Sequence, residues 1–201
     1  MRLVTSPERK LSLRQISAAA ENIAAAQFAM CGFDVLPQAG RSRFFYDLGI
    51  ANSGGMLKVS VHGSLYGFWN LVDPYLDKPA RAGGAMPDYH RAIDKWLQRQ
   101  GAGVTCCLVQ FEEADLSRMP RIYLASAAEI AEKLHQSADR LGDSALYEEY
   151  EEADGNGLHR VESLPAGWRF SAARVAELSY RLAANSGYQA GAVSYQRAAA
   201  S

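Results

Sequence analysis

Between Ser12 and Met30, a mainly apolar stripe of Ile16, Ala19, Ala20, Ile23, Gln27 and Met30 recurs at helical spacing, and Gly32 supplies a stop just beyond it. The pattern then shortens to that of strands. Phe33–Leu36 reads as a short strand ended by Pro37, Phe44–Ala51 as a second and Met56–His62 as a third. The Asn52-Ser53-Gly54-Gly55 link makes the last two a hairpin. Pro87 opens a helix that runs to about Gln100, closed by Gly101. Val104–Phe111 is a continuous apolar run, the mark of a strand buried on both faces, and Arg121–Leu124 is its expected neighbour. Ser126-Ala127-Ala128-Glu129 is a capping box for a helix to about Leu141, and Ser171 caps a last helix to about Ala184.

Between these elements lie an aromatic segment with Tyr66, Phe68 and Trp69 and a Pro- and Gly-containing loop from Asp73 to Met86. The acidic run Glu148–Glu152 and the turn at 154–157 read as a surface excursion. No internal repeat is present. The order of helix, three strands, helix, two strands and helix predicts a mixed α/β (α+β) domain, a central sheet flanked by helices. It spans 1–185 as one domain with a C-terminal helical extension at about 165–185, and 186–201, which lacks periodicity, reads as a flexible tail.

A chain of 201 residues is long enough for a proper core, and 48% apolar with 21% charged residues is the composition of an ordinary globule. Formal net charge is −1, so bulk charge gives no attraction to nucleic acid and any such contact needs a local patch. Candidates are Arg9, Lys10 and Arg14, with Arg41 and Arg43 ahead of the second strand; a solvated face is the plainer reading. Cys31, Cys106 and Cys107 are an odd count, and neighbours on a strand point to opposite faces, which disfavours a bridge between the last two. Reduced cysteines, no signal-peptide core and no membrane-length apolar window predict a cytoplasmic protein. No P-loop, dinucleotide-type glycine loop or Gly-x-Ser-x-Gly elbow occurs. His90, His135 and His159 have no metal-ligand spacing and read as surface or satisfied histidines, while Asp88, His90 and Asp94 suggest a polar helix face.

The candidate chemistry lies in YDLGIANSGGMLKVSVHGS, from Tyr46 to Ser64. Residues two apart on a strand share a face, so Leu57, Val59 and Val61 point one way and Lys58, Ser60 and His62 the other. Asp47 is flanked by Phe44, Phe45, Tyr46, Leu48 and Ile50, where a lone carboxylate is costly unless paired, metal-bound or solvated. Two readings stand: a functional carboxylate, or one that accepts backbone hydrogen bonds at a strand end.

Glu21 on the first helix, GFDV at 32–35, YDLGI at 46–50 and LKVSVHGS at 57–64 resemble the PD-(D/E)XK nuclease superfamily, in its resolvase-like and intron-endonuclease-like branch. The resemblance covers about residues 12–64 and implies a restriction-endonuclease-like mixed sheet. It also implies a site in which a helix Glu, a strand Asp and an acid-x-Lys hold Mg²⁺ or Mn²⁺ for phosphodiester hydrolysis. Glu21 takes the helix position, Asp47 the Asp position, and Ser60-Val61-His62 the acid-x-Lys position. The third acid is therefore missing, and His62 or Lys58 would take over the lysine's role. Two outcomes follow from the resemblance. One is an altered metal-dependent nuclease using Glu21, Asp47, Ser60, His62 and Lys58. The other is a catalytically silent nuclease-like protein that binds nucleic acid or a protein partner in a regulatory or neutralising role.

Overall fold

The computed structural model describes residues 11–38, 46–52, 55–77, 87–101, 103–112, 117–154 and 157–185. Its elements, in chain order, are α1 (Leu13–Met30), β1 (Asp34–Pro37), β2 (Leu48–Asn52), β3 (Gly55–Ser64), β4 (Phe68–Trp69), α2 (Tyr89–Gln100), β5 (Val104–Gln110) and β6 (Arg121–Ser126). They continue with α3 (Ala127–Leu141), β7 (Leu146–Tyr147), β8 (Glu149–Asp154), β9 (Gly157–Glu162) and α4 (Ala172–Asn185).

Five strands form one mixed sheet in the order β1-β2-β3-β5-β6. Only the β3–β5 pair is parallel, and α2 lies on the crossover between them. This is the central sheet flanked by helices that the sequence order predicts, and its mixed pairing is what the resemblance implies. The hairpin also forms: β2 and β3 run antiparallel with Asn52 opposite Gly55. Its Ser53 and Gly54, the predicted strand residues Phe44 and Phe45, and the tail from 186 lie outside the described residues.

Local chemistry fixes the helix starts. In α1, Ser12 Oγ accepts from Gln15 N–H at 3.3 Å while Gln15 Oε1 accepts from Ser12 N–H at 2.9 Å. The predicted capping box of α3 is present, with Ser126 N–H donating to Glu129 Oε2 at 2.8 Å. At α2 the cap is Asp88, whose Oδ1 accepts from Arg91 N–H at 2.9 Å, with Pro87 just outside.

Two apolar cores lie on opposite faces of the sheet. On one, Ala20, Ala24 and Phe28 of α1 and Val175 and Leu178 of α4 meet Leu57, Val59, Val61, Cys107 and Val109. On the other, Ile93 and Trp96 of α2 and Ile130 and Leu134 of α3 meet Cys106, Leu108, Tyr123 and Ala125. The two adjacent cysteines are thus in different cores. The α4 extension belongs to the first core.

In the acidic excursion Glu148 departs from the sequence reading, being buried rather than on the surface. The excursion forms a β8–β9 hairpin, and the aromatic segment contributes β4, which pairs with β7 at Phe68↔Tyr147 and Trp69↔Leu146. These strands are too short or too polar to carry an alternation signal. No helix among the described residues is long and apolar enough to cross a membrane.

Helix α1 sits close on β3 because Gly63 has no side chain. A Cβ there would lie 2.9 Å from Ile16 Cγ2 and 3.0 Å from both Ala20 Cβ and the Ile16 carbonyl oxygen. Since backbone must then move, Gly63→Ala is expected to destabilise the fold by about 1–3 kcal/mol. Urea denaturation checks this: the midpoint should fall with the slope unchanged.

Candidate functional site

The alternation along β3 holds. Leu57, Val59 and Val61 are buried toward α1 and α4, and Ser60 and His62 project to the other face, in register with Cys106 and Leu108 of β5. Asp47 directly precedes β2 and continues its pairing, donating its N–H to the Val59 carbonyl at 2.8 Å. Its Oδ2 then reaches across the ladder. It accepts from Val61 N–H at 2.7 Å and from Ser60 Oγ at 3.5 Å. Ser60 Oγ lies 3.1 Å from His62 Nε2, and Trp69 Nε1–H donates to the His62 carbonyl at 3.0 Å. Asp47, Ser60 and His62 therefore form one hydrogen-bonded row. The arrangement answers the cost of a carboxylate beside apolar neighbours, because a buried amide and a hydroxyl replace its lost water.

Burial holds His62 below the ordinary imidazole value, and the Asp47 charge offsets only part of that shift. The ring is accordingly neutral near pH 7 and can exchange a hydrogen bond with Ser60. Burial also pushes the Cys106 thiol up to about 12, with the Asp47 charge adding to it, and raises Cys107 further. Neither thiol is a nucleophile at neutral pH.

Of the residues singled out in the sequence, Asp47, Ser60 and His62 come together. Lys58 lies on their face, exposed, with its ammonium 5.8 Å from the centre of the Tyr46 ring. Glu21 is half-buried on α1, the helix that packs on the opposite face of the sheet. Arg14 is exposed in the first turn of α1, while Arg9, Lys10, Arg41 and Arg43 lie outside the described residues. Among the described residues no group of three His, Cys, Asp or Glu side chains could hold a metal ion. Mg²⁺ takes near-octahedral oxygen donors, usually with one or two carboxylates. Asp47 is the one carboxylate of the row, beside a neutral hydroxyl and an imidazole, and its Oδ2 already accepts from Val61 N–H.

A second polar assembly has no counterpart in the sequence reading. Arg121 of β6 grips the buried Glu148 with Nε at 2.6 Å and Nη2 at 2.7 Å, and Tyr123 Oη donates to the same carboxylate at 2.5 Å. Burial opposes ionisation of Glu148, but these hydrogen bonds win and hold its carboxyl below the usual range. The assembly borders a cleft of about 380 Å³, lined also by Tyr66, Gln110, Glu112, Glu149 and Glu151, at the carboxyl ends of β3 and β5. Nothing in the sequence flags it: Arg121 and Glu148 are 27 residues apart, and Glu148 reads as one member of an acidic run.

The chain matches no family model and no curated protein. Among solved structures it is similar to a bacterial homing endonuclease, I-Ssp6803I, at 17% identity and a TM-score of 0.44, over 87% of this chain and 99% of that one. A likeness of that size assigns no activity.

Two measurements probe the row. Asp47→Ala leaves Val61 N–H without its acceptor and should cost about 1–3 kcal/mol of stability, read by denaturant unfolding. For His62 the sign is fixed by its depressed value. The unfolded chain takes up a proton near pH 6.5 and the folded chain only at lower pH, so acidification through that range favours unfolding. His62→Gln should flatten the fall of Tm between about pH 7 and 5 relative to the parent chain.

Proposed function

We propose that the chain is a nuclease-like binding protein that engages nucleic acid without hydrolysing it. The observation that carries this reading is the hydrogen bond from Val61 N–H to Asp47 Oδ2 at 2.7 Å. It commits the one strand carboxylate to the sheet itself, in a site whose expected third acid is Ser60. Asp47, Ser60 and His62 then brace the junction of β2 and β3. Support for a nucleic-acid partner comes from the resemblance of residues 12–64 and from Lys58, an exposed cation on the same face as the row. With a net charge of −1, contact rests on such local cations, each meeting a phosphate.

The test combines binding and cleavage. Fluorescence anisotropy with duplex DNA, single-stranded DNA and RNA should give salt-sensitive binding, and Lys58→Ala should lower the logarithmic salt slope by about one. Plasmid and RNA should survive incubation in Mg²⁺ or Mn²⁺. Mn²⁺-dependent cutting that Asp47→Ala abolishes would overturn the silent reading in favour of a hydrolase. Absence of binding to all three nucleic acids at low salt would instead point to a protein partner.

A further inference from the structure

Two histidines that the sequence leaves unconnected meet between α2 and α3. His90 and His135 approach with their Nδ1 atoms 2.7 Å apart. Their ring planes differ by only 10° and their centroids are 5.0 Å apart. The centroid distance exceeds the nitrogen distance by about one ring diameter, so the imidazoles meet edge to edge with both Nδ1 atoms on the line of approach. Their outer nitrogens lie within ion-pair distance of carboxylates: His90 Nε2 is 3.0 Å from Asp139 Oδ1 and His135 Nε2 is 3.3 Å from Asp94 Oδ1. Each helix thus carries a His and, four residues on, the Asp that serves the other helix's His.

Proton counting decides what this geometry holds. A nearby carboxylate favours a hydrogen on each Nε2, where it faces a negative charge. With both rings neutral, the two Nδ1 lone pairs would then face each other at 2.7 Å. With both rings doubly protonated, two N–H groups would collide. One hydrogen between the Nδ1 atoms satisfies all four groups. A metal fits less well, because a tetrahedral ion bound to two nitrogens at about 2.0–2.1 Å each would hold them about 3.3 Å apart. We propose that Asp94, His135, His90 and Asp139 form a proton-operated clip between α2 and α3, closed by a single shared proton and released by its loss or by uptake of a second.

Other charges on the packed elements are largely committed. Asp77, just after the short helical turn Asp73–Tyr75, pairs with Lys95 at 3.0 Å and Arg91 at 3.7 Å. Glu129 of α3 holds Arg174, and Arg121 of β6 holds Glu148. Glu132, Lys133 and Arg140 complete the charge on α3. The clip is on the helix surface, with the His90 side chain 51% exposed, so protons exchange freely with solvent. It closes over a core that includes Ile93, Trp96, Ile130 and Leu134.

The experiment is a pH titration of the full chain by imidazole ¹⁵N NMR, with and without chelator, with His90→Gln and His135→Gln beside the parent. The two rings should titrate as a coupled pair, in two steps separated by about one pH unit or more. Either substitution should return the remaining ring to a single step. An Asp94→Asn, Asp139→Asn double variant should narrow the separation, and thermal unfolding of the parent should show a stability maximum between the two steps. Independent single-step titration of both rings, unchanged by substituting either one, would overturn the clip. So would a coupling that the chelator abolishes, since that would assign the site to a metal.

Discussion

Strand β5 touches water on neither face, and all seven of its residues from Val104 to Gln110 are buried. A strand in that position needs apolar cover on both sides and a hydrogen-bonded neighbour on each edge. The rest of the chain supplies them: β3 and β6 on the edges, α1 and α4 over one face, α2 and α3 over the other. Parallel pairing with β3 in turn demands a crossover connection, which α2 provides. Placing Cys106 and Cys107 in the two cores is the same constraint at single-residue scale. It also makes both thiols chemically quiet.

Polar groups in this frame are tolerated only where they are fully engaged. Asp47, Ser60 and His62 lie where the second core thins out toward β2, and they satisfy one another and the Val61 amide. The same rule governs Arg174 of α4, which is buried yet donates to the Leu124 carbonyl at 3.1 Å, to Glu129 at 2.7 Å and to Glu177 at 2.9 Å. Glu148 with Arg121 and Tyr123 repeats it at the carboxyl ends of the parallel strands. No side-chain nitrogen or oxygen among the described buried residues lacks a hydrogen-bond partner. Such closure makes each cluster a brace.

How each residue used its neighbours decided what could be foreseen. The helices of 13–30 and 127–141 and the strand of 104–110 carry their own signals: a stripe at helical spacing, a capping box, and an apolar run. The two-residue alternation in LKVSVH likewise placed Ser60 and His62 together on one face. Asp47 was recognisable as a costly carboxylate, and both of its readings were open.

Sequence therefore determined what local periodicity and steric preference can encode: the main helices and strands, the mixed α/β class of the domain, and the shared face of Lys58, Ser60 and His62. Tertiary structure alone decided which long-range partners met. It gave Asp47 the Val61 amide, set Glu21 on the helix across the sheet, joined Arg121 to Glu148, and brought His90 to His135. Those outcomes depend on strand register and helix packing between distant segments, and no pattern within a single segment records them.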